Sequence, residues 1–346
     1  MRILVTGGAG FIGSHVAEYF QKDNEVLIID NLSREEILGK GIGSKSYNLN
    51  YLKGFKNISF YNCDIRDFEK VKEIGKGIDA IIHTAAQVAV TTSLKNPRLD
   101  FEINALGTFN MLELARLNDA SLIFCSTNKV YGENVNKIPL LEKNSRYEYA
   151  DERFIEGIPE DFSIDLTGHS PYGCSKLAAD IYVQDYAYTY GLKTGVFRMS
   201  CIYGERQFGV EDQGWVAWFV IATEMERKIT IYGNGKQVRD LLYVKDLVEL
   251  YDKFLSSNIR HGVFNAGGGR NNAYSLLEVI DMIRKILNKK PDLNYSDWRP
   301  ADQKVYISNI RKAHELLNWY PRTSAEEGIK KLALWVRNNR QLFIGL

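Results

Sequence analysis

The sequence predicts an α/β fold, a doubly wound parallel sheet carrying a smaller α/β lobe. Two observations predict it. Short apolar runs alternate with amphipathic helical stretches through the first half, and a glycine-rich loop joins the first run to the first helix. The runs at 3–6, 25–29, 58–61, 79–83 and 122–126 read as continuous Ile/Leu/Val stretches, as expected of parallel strands buried on both faces. Helical patterns occupy 11–21 and 97–117, and a further helix at 171–190 is followed by a strand at 194–199. Mixed elements follow, with helical patterns at 276–287, 310–317 and 325–338. Between them, 133–169 has nine acids against four bases and little periodicity, which marks an insertion or lid. Residues 1–170 are therefore expected mainly to bind cofactor and 171–346 mainly substrate, with 171–190 and 194–199 returning to the first domain.

Composition narrows the function. At 346 residues, 45% apolar and 25% charged, the chain can bury a core without disulfides. Its 44 Lys and Arg against 43 Asp and Glu leave a net charge of +1, too little to hold nucleic acid or an anionic membrane. Cys63, Cys125, Cys174 and Cys201 are far apart and form no Cys-x-x-Cys pair, which argues against disulfides and against a metal site. No run approaches the length of a membrane span, and the start carries no signal-peptide pattern, so a soluble cytoplasmic protein is expected.

Gly7-Gly8-Ala9-Gly10-Phe11-Ile12-Gly13 lies between a strand and a helix, where glycines allow a tight turn and the helix start offers amides to a pyrophosphate. Asp30 ends the second strand roughly 20 residues on, placed to accept from ribose hydroxyls and to repel a 2′-phosphate, which favours NAD over NADP. Asp64-Ile65 follows the third strand; Asp64 either touches adenine or caps the next helix. Tyr172 and Lys176 are spaced to share one helix face behind the cap Ser170 and the first-turn Pro171, and a nearby cation draws a phenol toward its basic form. Ser126-Thr127-Asn128-Lys129 ends the fifth strand, at the edge where open α/β sheets bind ligands. His83 and His169 read as packed or capping residues.

Together these motifs resemble the extended short-chain dehydrogenase/reductases that act on nucleotide sugars, over essentially the whole chain. The stretches 87–93, 100–104, 126–129, 170–176 and 212–216 look like the subgroup that inverts C2 of CDP-linked hexoses. The resemblance implies a Rossmann-type fold and NAD. It implies cofactor contacts from Gly7, Gly10, Phe11, Ile12, Gly13, Asp30, Asn31, Asp64, Ile65, Ala85, Ala86, Gln87, Asn104, Tyr172 and Lys176. Thr127, Tyr172 and Lys176 align with catalytic residues, and Asn104 with a residue that supports the lysine. Thr127, Asn128, Arg206, Gln207, Trp215, Arg239 and Arg299 would meet substrate, the arginines at the diphosphate; surface or core roles remain open for Arg206, Trp215 and Trp218.

Two departures stand out. Cys201 replaces an Asn common in relatives, and Asn128-Lys129 stand where sugar 4,6-dehydratases carry an acid pair, so dehydration is not expected. The implied reaction is transient oxidation and re-reduction of a nucleotide sugar, a CDP-hexose favoured, in a homodimer or homotetramer paired through the 97–117 and 171–190 helices. A UDP-hexose 4-epimerase and a non-catalytic NAD-sensing protein are the rivals.

Overall fold

The first buried run forms β1 (Arg2–Thr6), and the glycine loop starts where it ends. The computed structural model describes residues 1–38, 47–299 and 302–344. Around β1 stand β2 (Glu25–Asp30), β3 (Ile58–Asn62), β4 (Ala80–His83), β5 (Ser121–Thr127), β6 (Thr194–Met199) and β7 (His261–Ala266) in the order β7-β6-β5-β4-β1-β2-β3. The β1–β2, β2–β3, β1–β4 and β4–β5 pairs are parallel. This is the Rossmann-type sheet expected. β4 is buried throughout, whereas β3, at the edge, alternates and is largely exposed, so the two-faced burial expected of every strand holds only for the inner ones.

Two compact units emerge, each discontinuous in sequence. The first comprises 1–130, 170–198 and 248–264, the second 131–169, 199–247 and 265–346. In the first, Leu4, Leu27, Ile81, Leu122 and Phe124 pack with Met111, Leu112, Val183 and Val196 in one fully buried core. The expected single helix at 97–117 is instead Pro97–Phe101, a π-helical turn Glu102–Leu106, and Gly107–Asn118.

The second unit has a sheet in which Val238–Tyr243 pairs with Ala273–Ser275, Val305–Tyr306 and Cys201–Tyr203. Residues 133–169 belong to this unit. They form a hairpin of Leu140–Glu142 with Tyr147–Tyr149, bury Val135, Ile138, Tyr147, Tyr149 and Ile158, and bridge Ile158 to Ser308. The Tyr149 hydroxyl donates to the Val305 carbonyl at 3.0 Å and the Asn265 amide to that of Ile158 at 2.8 Å. These buried side chains recur at no fixed spacing, which is why no period announced them.

Candidate active site

The glycine loop is held by its own backbone. Gly7 lies at φ +65°, and a Cβ there would sit 2.8 Å from the Ala85 backbone; one on Gly13 would sit 2.3 Å from the Gly7 oxygen. The helix Phe11–Phe20 packs that tightly against the turn only because both positions are glycine. Among the described residues, a Cβ on Gly10 would meet only the Gly7 oxygen, at 3.0 Å, and no side chain caps the helix start. The first-turn amides, including those of Phe11 and Ile12, fit a pyrophosphate.

Asp30 accepts from the backbone N–H of Ala9 at 3.0 Å and of Leu32 at 2.8 Å, so the acid at the end of β2 is fastened to the loop itself. Burial pushes its carboxyl up. Four acceptor sites on two oxygens leave room for ribose hydroxyls. Asn31 donates to Asp64 at 2.9 Å, and Arg66 grips Asp64 through Nη2 at 2.8 Å, holding its carboxyl below the usual range. The open choice for Asp64 closes on one side: the following helix, Phe68–Ile74, is capped by Asp67. Ile65 is buried, and a Cβ on Gly107 would lie 2.5 Å from it. The Ala85 N–H donates to Thr6 Oγ1 at 3.3 Å; Ala86 follows it.

Tyr172 and Lys176 rise from the helix Ser170–Tyr190, whose first turn is held by the Ser170 hydroxyl accepting from the Gly173 N–H at 3.3 Å. The Tyr172 phenol lies close to Thr127 at the end of β5, which favours its ionised form. Thr127 is itself set by Asn128, 3.3 Å away, and by the Lys129 N–H, which donates to its Oγ1 at 3.2 Å. Lys176 is buried, its Nζ 4.1 Å from the centre of the Phe124 ring. Burial holds the ammonium down to about 8, with Cys125, Asp180 and Asp100 opposing, and pushes the Tyr172 phenol up to about 12 against the pull of Thr127. The lowered phenol expected from the spacing is absent: removal of the ring hydroxyl from water outweighs every neighbour.

Behind these groups lies a network of which sequence reasoning named Asn104 and Gln87 but gave no role to Asp100, Ser175, Asp180 or Arg198. Asn104 donates to Ser175 Oγ at 3.1 Å, to Asp100 at 3.2 Å and to the Gln87 carbonyl at 3.1 Å, and accepts from the Gln87 N–H at 2.9 Å. It supports the residue before the lysine. Gln87 spends its side chain inside the protein, on Ala89 and Asp100. Asp180, one turn beyond Lys176, takes Ser126 at 2.7 Å and Arg198 at 3.0 Å. His83 bridges Thr6 at 2.6 Å and Thr108 at 3.0 Å, a packed histidine held neutral by burial.

The remaining candidates lie in the second unit. Arg239 is buried, donating to Asp302 at 2.6 Å and to the Val238 carbonyl at 2.7 Å. Arg299 stacks 4.0 Å from the Tyr232 ring centre and pairs with Asp212 at 3.1 Å. Arg206 is buried at φ +61°, a backbone region few arginines adopt. Gln207 donates to the Ile202 carbonyl at 3.2 Å, while its buried Oε1, like Trp218 Nε1, has no hydrogen-bond partner among the described residues. The Trp215 indole donates to Cys201 Sγ at 3.2 Å, which gives the Cys201 departure a structural partner.

Fold and site together define an NAD-dependent enzyme of the extended short-chain dehydrogenase/reductase class. Within that class the chain belongs to the GDP-mannose 4,6 dehydratase family, which residues 4–332 match, a family of nucleotide-sugar epimerases and dehydratases. It is 40% identical to the CDP-paratose 2-epimerase of Salmonella typhi over 97% of this chain and 99% of that protein. The solved UDP-glucose 4-epimerase of Thermotoga maritima, with UDP-glucose, matches with a TM-score of 0.82 at 32% identity, covering 98% of this chain and 100% of that one. That of Thermus thermophilus, in complex with NAD, gives 0.78 at 30% identity with the same coverage. NAD is the cofactor that the loop and Asp30 fit.

Proposed function

We propose that the protein inverts C2 of a CDP-linked hexose, interconverting CDP-paratose and CDP-tyvelose or a related pair, by transient oxidation of the sugar hydroxyl and re-reduction on the other face. The observation that carries the chemistry is Tyr172 and the buried Lys176 one turn apart on one helix, with Thr127 at the end of β5 close to the phenol. Bound NAD supplies hydride acceptance and return. Tyr172 takes the hydroxyl proton and later gives it back, Thr127 orients the sugar oxygen, and the Lys176 ammonium favours the phenolate. The glycine loop, Asp30, Asn31, Asp64, Ile65 and 85–87 hold the cofactor in this reading. Arg206, Arg239 and Arg299 hold the diphosphate, where a guanidinium fork suits phosphate oxygens. Asn128, Gln207 and Trp215 complete the substrate contacts, and the unfilled Gln207 Oε1 suits a ligand donor.

The choice of CDP and C2 is supported by the identity to the Salmonella typhi enzyme, and Asn128-Lys129 in place of an acid pair count against dehydration. The second reading, a UDP-hexose 4-epimerase, is favoured by the likeness to the solved UDP-glucose 4-epimerases of Thermotoga maritima and Thermus thermophilus. A cytoplasmic location belongs to the same proposal; among the described residues no helix is long and apolar enough to cross a membrane. The test is to incubate the purified protein with CDP-, UDP-, GDP- and dTDP-hexoses and identify products by NMR. Turnover of a CDP-hexose to its C2 epimer is expected; C4 inversion of a UDP-hexose with CDP-hexoses untouched overturns the choice.

A further inference from the structure

Among the described residues of the first unit, four Asp, Glu, Lys or Arg side chains are buried: Asp100, Lys176, Asp180 and Arg198. Two of the four neutralise each other directly, since Arg198 Nε lies 3.0 Å from Asp180 Oδ2 and its Nη2 donates to Oδ1 at 3.2 Å. That leaves Lys176 and Asp100. Asp100 touches no cation among the described residues; it accepts from Gln87 Nε2 at 2.6 Å, Asn104 Nδ2 at 3.2 Å and Ser175 Oγ at 2.5 Å, all neutral donors. Ser175 immediately precedes Lys176, and the π-helical turn Glu102–Leu106 directs Asn104 to both Asp100 and Ser175. A buried charge is costly without a counter-charge, and Asp100 and Lys176 are the two left over: they lie in reach of each other's charge, the ammonium opposing the burial that pushes the Asp100 carboxyl up, and Ser175, the residue before Lys176, donates to Asp100.

We propose that Asp100 is the counter-charge of Lys176, a positioning residue that keeps the ammonium charged and the Ser170–Tyr190 helix fixed through Ser175 and Asn104. The inference deepens the reading in which Tyr172 and Lys176 perform proton transfer, and rests on it. The groups facing Lys176 are Asp100 from the Pro97–Phe101 helix, Cys125 from β5, His83 from β4, and Asp180 on its own helix, with Arg198 of β6 behind Asp180; Tyr172, one turn earlier on the helix, feels Asp100 and Cys125. Of the carboxylates, only Asp100 has its charge uncommitted. Its negative charge favours the ammonium and disfavours the phenolate, so removing it lowers the pH at which each group gives up its proton.

The experiment is the pH–rate profile of the NAD-loaded protein. Asp100→Asn keeps the size and most donors satisfied while removing the charge; both limbs are expected to move to lower pH, the alkaline one by about one unit. Asp100→Glu restores the limb. A merely structural role lowers the plateau and leaves both limbs in place, and that result overturns the proposal. Tyr172→Phe, run alongside, separates the two levels: if it turns over like wild type, the proton-transfer reading fails whatever Asp100 does. If Asp100→Asn does not fold, Lys176→Met asks the same question in reverse, read by 13C NMR of aspartate-labelled protein. The carboxyl that also responds to Ser175→Ala is then expected to titrate about one unit higher, because charge coupling is reciprocal. No movement of that carboxyl overturns the counter-charge.

Discussion

Tyr172 and Lys176 are displaced from their ordinary ionisation in opposite directions, the phenol to about 12 and the ammonium to about 8. Near neutral pH the phenol therefore holds its proton, with Thr127 the neighbour that eases its release. Tyr172→Phe keeps the ring and removes the acceptor, so turnover is expected to fall by ~10²-fold or more with NAD content unchanged. Wild-type turnover would place the base elsewhere. His83 carries a stability prediction. Burial lowers its ring from 6.5 to about 3, so the unfolded chain binds a proton that the fold refuses. Stability is full above the unfolded value near 6.5 and is lost as pH falls from there toward 3. Calorimetry between pH 7 and 4.5 is expected to give a steeper fall in Tm for wild type than for His83→Gln; equal slopes remove His83 from the acid response. The residues of the glycine loop, Asp30, Tyr172 and Lys176 were legible because their spacing is local. Asp100 with Ser175 and Asp180 with Arg198 were not, because each pair forms only when distant segments meet, Asp100 and Ser175 being 75 positions apart.

At the scale of elements, the loop and the helix after it act as one piece. Gly13→Ala drives a methyl to 2.3 Å from the Gly7 oxygen, which no flexible side chain can relieve. The helix start must withdraw from the turn, so bound NAD is expected to drop at least tenfold, measured by cofactor released on denaturation, with Tm also lowered. An unchanged NAD content would mean that the loop does not bear the pyrophosphate. The helices Gly107–Asn118 and Ser170–Tyr190 pack Phe109 against Tyr182, ring centres 5.7 Å apart, yet leave Leu117, Ile181 and Tyr182 exposed. An apolar face of this kind on a pair of helices suits a second copy of the chain, as the family resemblance implies. If the chain assembles as a homodimer or homotetramer through this face, Ile181→Lys with Tyr182→Glu lowers the mass seen in light scattering, and an unaltered mass shows that assembly does not use it. The helix over 97–118 was legible as apolar periodicity, but not its π-helical turn, since one extra residue in a turn hardly disturbs a hydrophobic pattern while it re-aims Asn104.

For the whole molecule, the chain passes repeatedly between a unit that carries the Tyr172, Lys176 and Thr127 set and one that carries the arginines. That division was only half legible, because 131–169 has no period and 248–264 gives no sign of returning to the first unit. The reaction itself tests the reading at this scale. If one bound NAD takes the hydride and gives the same hydride back, a CDP-hexose deuterated at C2 yields a C2-inverted product that keeps its deuterium in ordinary water. Enolate chemistry instead exchanges the label, since a carbon acid trades its proton with solvent through the base. Tyr172 is half-buried and lies close to Thr127, arranged to act on an oxygen-bound proton, and retention with C2 inversion is therefore expected by NMR and mass spectrometry. Retention with C4 inversion keeps the oxidation and overturns the carbon, while washout refutes hydride transfer for any sugar, because no geometry of Thr127, Tyr172 and Lys176 returns solvent hydrogen to carbon through a closed hydride cycle.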